Sequence, residues 1–198
     1  MAQIALACAC GAVRGRLDPR RAANRLVCYC EDCRAFALAC GGGAALDAAG
    51  GLDLIQTTFG RLGLERGRDA LAALRVTPRG PLRWHCARCR SALAVTLPRP
   101  ALPFASVVVA SLAGERTGLP PVRGTVHARG AWGEPLHPAA PLPGVLARFA
   151  GAMLGARLRG EHRRSPFHGP DGRPLAEPRT MEAGERATLL TSGPEARP

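Results

Sequence analysis

The placement of its cysteines constrains this chain more than any other feature. Eight occur in 198 residues, and seven of them fall in three tight groups. Cys8-Ala9-Cys10 is followed by Gly11; Cys28-Tyr29-Cys30-Glu31-Asp32-Cys33 forms a C-x-C-x-x-C run; Cys86-Ala87-Arg88-Cys89 is a C-x-x-C knuckle. Thiols one or two residues apart are held near one another by the chain itself. Much of the entropy of gathering ligands is therefore lost before an ion arrives. Thiolates are soft donors, which favours Zn²⁺ over Mg²⁺ or Ca²⁺. Met1–Leu6 lacks the basic start of a secretory signal, and the longest apolar run, Phe104–Ala113, is too short to span a membrane. The expectation is a cytoplasmic protein with no membrane association. In that reducing setting, grouped cysteines signal metal more often than disulfides.

The simplest partition joins Cys8 and Cys10 with Cys86 and Cys89 as a closed four-sulfur site. It leaves Cys28, Cys30 and Cys33 as a three-ligand set, giving two Zn²⁺ per chain. Three protein ligands and one open position is the arrangement of catalytic zinc. Spacing alone does not show which C-x-C pair joins the knuckle. Cys40 stands apart: it is either a small buried hydrophobe or a fourth ligand that closes the second site.

Hydrophobic residues make up 46% of the chain, enough for a packed core, and 24 Gly with 18 Pro favour turns and short strands over long helices. Short strands are expected at Ala12–Leu17, Leu52–Thr58, Leu71–Thr77, Leu82–His85, Ala92–Leu97 and Ala105–Leu112. Cys33–Cys40 has helical character and stops at Gly41-Gly42-Gly43. Residues 1–114 thus read as a mainly β zinc-binding domain. Residues 115–143 read as linker. Residues 144–160 form an amphipathic helix with Val145, Leu146, Phe149, Met153, Leu154 and Leu158 on one face. Beyond Gly160 the chain reads as an extended polar tail with little to bury, dispensable for the fold.

The net charge is +12, and all 27 basic residues are Arg. They are dispersed rather than blocked, and aromatic residues are only 4%. Both facts argue against a nucleic-acid surface. Arg forks do match small carboxylate ligands.

The order C-x-C-G, C-x-C-x-x-C-R, C-x-x-C, carried by Cys8, Cys10, Gly11, Cys28, Cys30, Cys33, Arg34, Cys86 and Cys89, resembles the glutathione-dependent formaldehyde-activating enzyme family, which also includes centromere protein V. The resemblance covers residues 1–114 and implies an Mss4-like β fold. It implies structural zinc at Cys8, Cys10, Cys86 and Cys89, and catalytic zinc at Cys28, Cys30 and Cys33. It further implies a carbon–sulfur lyase acting on a small thiol adduct such as S-hydroxymethylglutathione. The chain departs from that pattern where many members carry Gly after the knuckle, here Arg90. It departs again where Ala35-Phe36-Ala37-Leu38 replaces small polar residues.

Other candidates are weaker. Glu31 and Asp32, inside the second metal loop, could move protons or simply balance nearby Arg. Tyr29 could bind substrate or pack. His85 neighbours Cys86 but the sulfur set is complete without it. His127, His137, His162 and His168 show no metal-binding spacing. Arg34, Arg88 and Arg90 could clamp substrate carboxylates or offset thiolate charge. The competing functions are a zinc-scaffold binding module for a protein or nucleic acid, and a thiol redox or metal-buffering role.

Overall fold

The computed structural model describes residues 3–41, 43–114 and 118–191. Its strands are β1 (Ile4–Ala7), β2 (Arg14–Leu17), β3 (Asn24–Cys28), β4 (Leu52–Thr58), β5 (Leu62–Arg66), β6 (Leu71–Arg75), β7 (Leu82–Cys86), β8 (Ala92–Thr96), β9 (Phe104–Val108), β10 (Leu112–Ala113), β11 (Thr125–Val126) and β12 (Pro178–Thr180). Its helices are α1 (Glu31–Ala39), α2 (Leu142–Leu158) and α3 (Ala183–Thr191). The protein is mainly β, with a C-terminal helix. One sheet has the order β10-β1-β2-β5, and the other β11-β3-β4-β9-β8-β7-β6-β12.

The large sheet is covered on both faces, and its strands alternate accordingly. In β4, Leu52 and Leu54 face the α1 side while Ile55 faces the small sheet. Trp84 of β7 centres the inter-sheet core with Leu6, Leu17, Leu62 and Leu93. Its indole N–H donates to Thr96 Oγ1 at 2.8 Å, so this buried ring leaves no donor unpaired. Phe36 of α1 centres the other core with Leu52, Leu74 and Val108.

All six expected strands exist: Leu52–Thr58 has the expected bounds, β7 runs one residue further, to Cys86, and the others are shorter. β1, β3, β5, β11 and β12 lie outside those expectations; in β5 the exposed Gly63, Glu65 and Arg66 mask the alternation. The α1 start moves to Glu31, because Cys30 takes the capping position and its sulfur accepts from Cys33 N. Gly41 and Gly43 have φ of 81° and 83°, the left-handed turn that ends a helix. Gly42 lies outside the described residues.

Residues after 114 supply both edges of the large sheet. β11 runs parallel to β3, with Val126 opposite Cys28. β12 runs parallel to β6. The segment beyond Gly160 is extended as expected but it is not loose. Phe167 is fully buried and stacks on Trp84 with ring centroids 5.1 Å apart. Met181 is buried with the α1 core, and Glu161 accepts from Gly60 N at 2.8 Å. The expectation that this tail has little to bury is corrected: a few apolar residues among many polar ones suffice when each meets a prepared hollow.

The helix expected at 144–160 is α2, but its face is different. Val145, Met153 and Ala156 are buried, and Phe149 meets Phe104 edge-on at 5.3 Å. Leu146, Leu154 and Leu158 are 62%, 63% and 80% exposed. The helix is apolar on most of its circumference, so periodicity could not say which side docks.

Candidate metal centres

Two hairpin tips form the first centre. Cys8 and Cys10 sit in the turn after β1; Cys86 ends β7 and Cys89 lies in the turn that follows. Gly11 N–H donates to Cys8 O at 2.9 Å, with Gly11 at φ 70°, and Arg90 N–H donates to Cys86 O at 2.9 Å. Each turn thereby aims two sulfurs the same way. The four sulfurs lie within 4.8 Å of one another, the geometry of a group that could hold a metal ion. Cys8 and Cys10 Sγ are 3.5 Å apart, and Cys10 and Cys86 Sγ 3.8 Å. A tetrahedral ion with 2.3 Å bonds needs an edge of about 3.8 Å. No two cysteines are disulfide-bonded. Val13 N–H donates to Cys8 Sγ at 3.2 Å, and the Ser91 hydroxyl lies 3.2 Å from Cys89 Sγ. Burial opposes ionisation of Cys89, but the Ser91 hydroxyl and backbone hydrogen bonds outweigh it and bring that thiol down to about 5. Burial pushes Cys86 up to about 12. The cluster therefore releases protons when a cation binds.

The second centre lies where β3 runs into α1. Cys28 ends the strand, Cys30 caps the helix and Cys33 lies in its first turn. Their sulfurs also fall within 4.8 Å of one another. The Cys28 thiol donates to Cys30 Sγ at 3.4 Å, and Cys33 N–H donates to the same sulfur at 3.4 Å. These donors, with Cys33, hold Cys30 far below the usual thiol range. In return, the hydrogen bond to Cys30 pushes Cys28 up to about 12. The exposed N–H groups and positive end of α1 favour negative charge at this corner.

Cys40 does not join either group. It lies seven residues on along α1, about 10 Å at the helical rise. It is buried in the α1 core, and burial pushes its thiol up to about 12. Helix length thus keeps Cys40 outside the group formed by Cys28, Cys30 and Cys33.

A cleft of about 1060 Å³ opens beside Cys30, lined by Tyr29 and Cys30 after β3, the start of α1, residues 127–130 and Arg186 of α3. The remaining candidates distribute around it. Glu31 and Asp32 are tied to Arg186 at 2.8 and 3.1 Å, and Asp32 also to Arg83 at 3.5 Å. They balance Arg. Tyr29 is fully buried, donates to Asp47 Oδ2 at 2.9 Å and accepts from Leu136 N at 3.2 Å. Arg34 is buried, lies 4.6 Å over the Trp132 ring and donates to Gly130 O, so it fastens residues 130–132 rather than meeting a ligand. Arg90 donates its Nε to Ala39 O at 3.0 Å and so caps α1. It does this from a left-handed backbone, φ 58°, which is why glycine would be at ease there. Arg88 is exposed. His85 sits in β7 outside both sulfur groups. His168 is buried beside Ser165 and Trp84 in the core. His137 and His162 belong to neither group.

His127 is brought to the cleft by β11, which no sequence signal marked. Its φ of 57° turns the chain sharply after Val126. Only the parallel pairing of β11 with β3 places it beside the Cys28–Cys30 corner.

No helix of the described residues is long and apolar enough to cross a membrane. The sequence matches the family described as "Family of unknown function (DUF6151)" over residues 1–179. No curated protein matches it. A solved structure of a Rhodobacter sphaeroides protein is 22% identical, covers 57% of this chain and 91% of its own, and has a TM-score of 0.42.

Proposed function

The chain belongs to the DUF6151 family, and on that premise we propose that it is a two-zinc protein whose second centre catalyses carbon–sulfur bond exchange between a small thiol and formaldehyde. The observation that supports this is the asymmetry of the two sulfur groups. One has four sulfurs from two hairpin tips, and the other has three sulfurs beside a large cleft. Both donor sets suit zinc: they are all thiolate, at tetrahedral spacing, with backbone N–H groups directed at sulfur. Cys8, Cys10, Cys86 and Cys89 would hold the structural ion, and Cys28, Cys30 and Cys33 the other. The resemblance to formaldehyde-activating enzymes points the same way and supplies glutathione as the first thiol to test. A reducing cytoplasm suits such a set of thiolates.

Zinc at the second centre would act as a Lewis acid with one position for an incoming thiolate or oxygen. Three thiolate ligands moderate that acidity, which suits sulfur exchange better than hydrolysis. In the forward direction the thiol sulfur attacks the aldehyde carbon. The S–C bond forms, the C=O π pair moves to oxygen, and the proton lost by the thiol ends on that oxygen. The hydroxymethyl thioether breaks down by the reverse route. The chain contributes the α1 N-terminus, which favours the accumulated negative charge, and the cleft, which gives a small thiol room beside Cys30.

The test is zinc content and thiol-dependent formaldehyde loss for Cys30→Ala and Cys40→Ala, with glutathione and simpler thiols assayed. The reading expects Cys40→Ala to keep two zincs and activity, and Cys30→Ala to lose one zinc and all activity. Equal zinc loss in both would make the second centre a structural four-sulfur site and end the proposal.

One observation favours a second reading, a zinc-stabilised binding module. The exposed large hydrophobic side chains of the described residues are Leu136, Leu142, Leu146, Leu154 and Leu158, all on α2 or its approach. Such a concentration marks contact surfaces. It would gain ground if both zincs proved structural.

A further inference from the structure

The cleft beside Cys30 contains three arginines, Arg83, Arg129 and Arg186. Two are already committed. Arg186 pairs with Glu31 and Asp32 at 2.8 and 3.1 Å. Arg83 has a side chain only 4% exposed, and it pairs with Asp32 at 3.5 Å and donates to Pro81 O at 3.4 Å. Arg34, the arginine of the cysteine motif, is held by Gly130 O and the Trp132 ring. Arg129 alone is exposed, with a side chain that makes no ion pair or hydrogen bond to the described residues.

The backbone that carries Arg129 is firmly placed. Val126 pairs with Cys28, and Trp132 N–H donates to Ala49 O at 2.9 Å. Gly130 packs so closely on the metal loop that a Cβ there would lie 2.3 Å from Tyr29 O. A guanidinium on such a support loses less entropy on binding than one on a loose loop. The remaining walls combine apolar Pro81, Ala139 and Leu142 with His127 and with Glu31 and Asp32, whose carboxylates are paired with Arg186 and Arg83.

We infer that the thiol taken by this site is a monocarboxylate with an apolar body, its sulfur at the second centre and its carboxylate on Arg129. A dicarboxylate would find no second unpaired guanidinium and would have to break the Glu31–Arg186 or Asp32–Arg83 pair. The inference rests on the proposed function, since it needs the open coordination position, and it narrows the substrate away from a tripeptide with two carboxylates.

The test uses the zinc-loaded full chain and four thiols: 6-mercaptohexanoate, mercaptosuccinate, glutathione and the neutral 6-mercaptohexanol. Affinity is read by isothermal titration calorimetry. The cobalt-substituted protein reports, by its visible absorption, whether the sulfur reaches the metal. The expected result is that 6-mercaptohexanoate binds at least about tenfold tighter than mercaptosuccinate or glutathione. Arg129→Gln should remove about that factor for 6-mercaptohexanoate, leave 6-mercaptohexanol unchanged and keep two zincs. Equal or tighter binding of glutathione or mercaptosuccinate would overturn the inference, as would an Arg129→Gln variant with unaltered preference; either leaves the open-site reading standing. If no thiol binds or alters the cobalt spectrum, the open-site reading itself fails and the inference falls with it.

Discussion

Phe167 is the residue that most directly tests how the C-terminal third is attached. Its ring is fully buried and stacks on Trp84, the centre of the inter-sheet core, at 5.1 Å and an interplanar angle of 24°. Phe167→Ala removes a fully buried ring from a close-packed interior, which costs about 3–5 kcal/mol with its cavity. Loss of the ring pair is within that figure, at about 0.5–1.5 kcal/mol. For a domain near this size each kcal/mol is worth about 2–4 °C, so a melting point about 6–20 °C lower is expected. The assay is thermal unfolding followed by circular dichroism at fixed zinc excess, because a bound metal stabilises by mass action and must be held constant. Zinc content should stay at the wild-type value, since Phe167 supplies no ligand to either sulfur group. A fall of less than about 3 °C would refute the packing argument. Truncation after residue 160 should be at least as damaging, because it also removes Met181 and β12.

Cys86→Ser should lose one zinc per chain by atomic absorption and unfold at a sharply lower temperature, because three thiolates forced together without an ion repel; full zinc content and unchanged melting would refute the closed site. Arg90→Ala should destabilise by about 1–2 kcal/mol in urea, since the left-handed backbone remains and the cap on Ala39 O is lost, whereas Arg90→Gly should cost less because the strain goes too; equal effects would dismiss the strain. Asp18 accepts from Arg20 and from Arg61, and the Arg20 hydrogen bond, with further help from Arg61, lowers its carboxyl to about 2. A depressed acid contributes its stabilisation fully above the unfolded value near 4 and loses it as pH falls towards 2. Asp18→Asn should therefore be less stable than wild type at pH 7, with the gap closing between about pH 4 and 2; a gap independent of pH would contradict the ion pairing.

The sequence by itself determined the chemistry of the sulfur groups and the β-rich character of the chain. Cysteines one or two residues apart are constrained by local covalent geometry, so their grouping is readable without a fold. The apolar runs that became β4, β6, β7, β8 and β9 carry their own signal, because strands buried on both faces are almost continuously hydrophobic. What the sequence left open depended on distances it does not contain. Cys40 could have closed the second site until α1 placed it about two helical turns from Cys33, buried in the α1 core. Arg34 and Arg90 flank the sulfurs in sequence, which left open whether they clamp a substrate or offset thiolate charge. In three dimensions they are struts, one fixing the 130–132 loop and the other capping α1. The α2 face was misjudged because apolar residues ring most of the helix, and only the partners Phe104 and Asn24 decide which side is covered. His127, Arg129 and Phe167 were illegible for one shared reason. Each acts through a contact between segments some 80 to 100 residues apart, made by the parallel pairing of β11 with β3 or by the stacking of Phe167 on Trp84. Local sequence pattern records what a residue prefers; only the closed tertiary structure records what it meets.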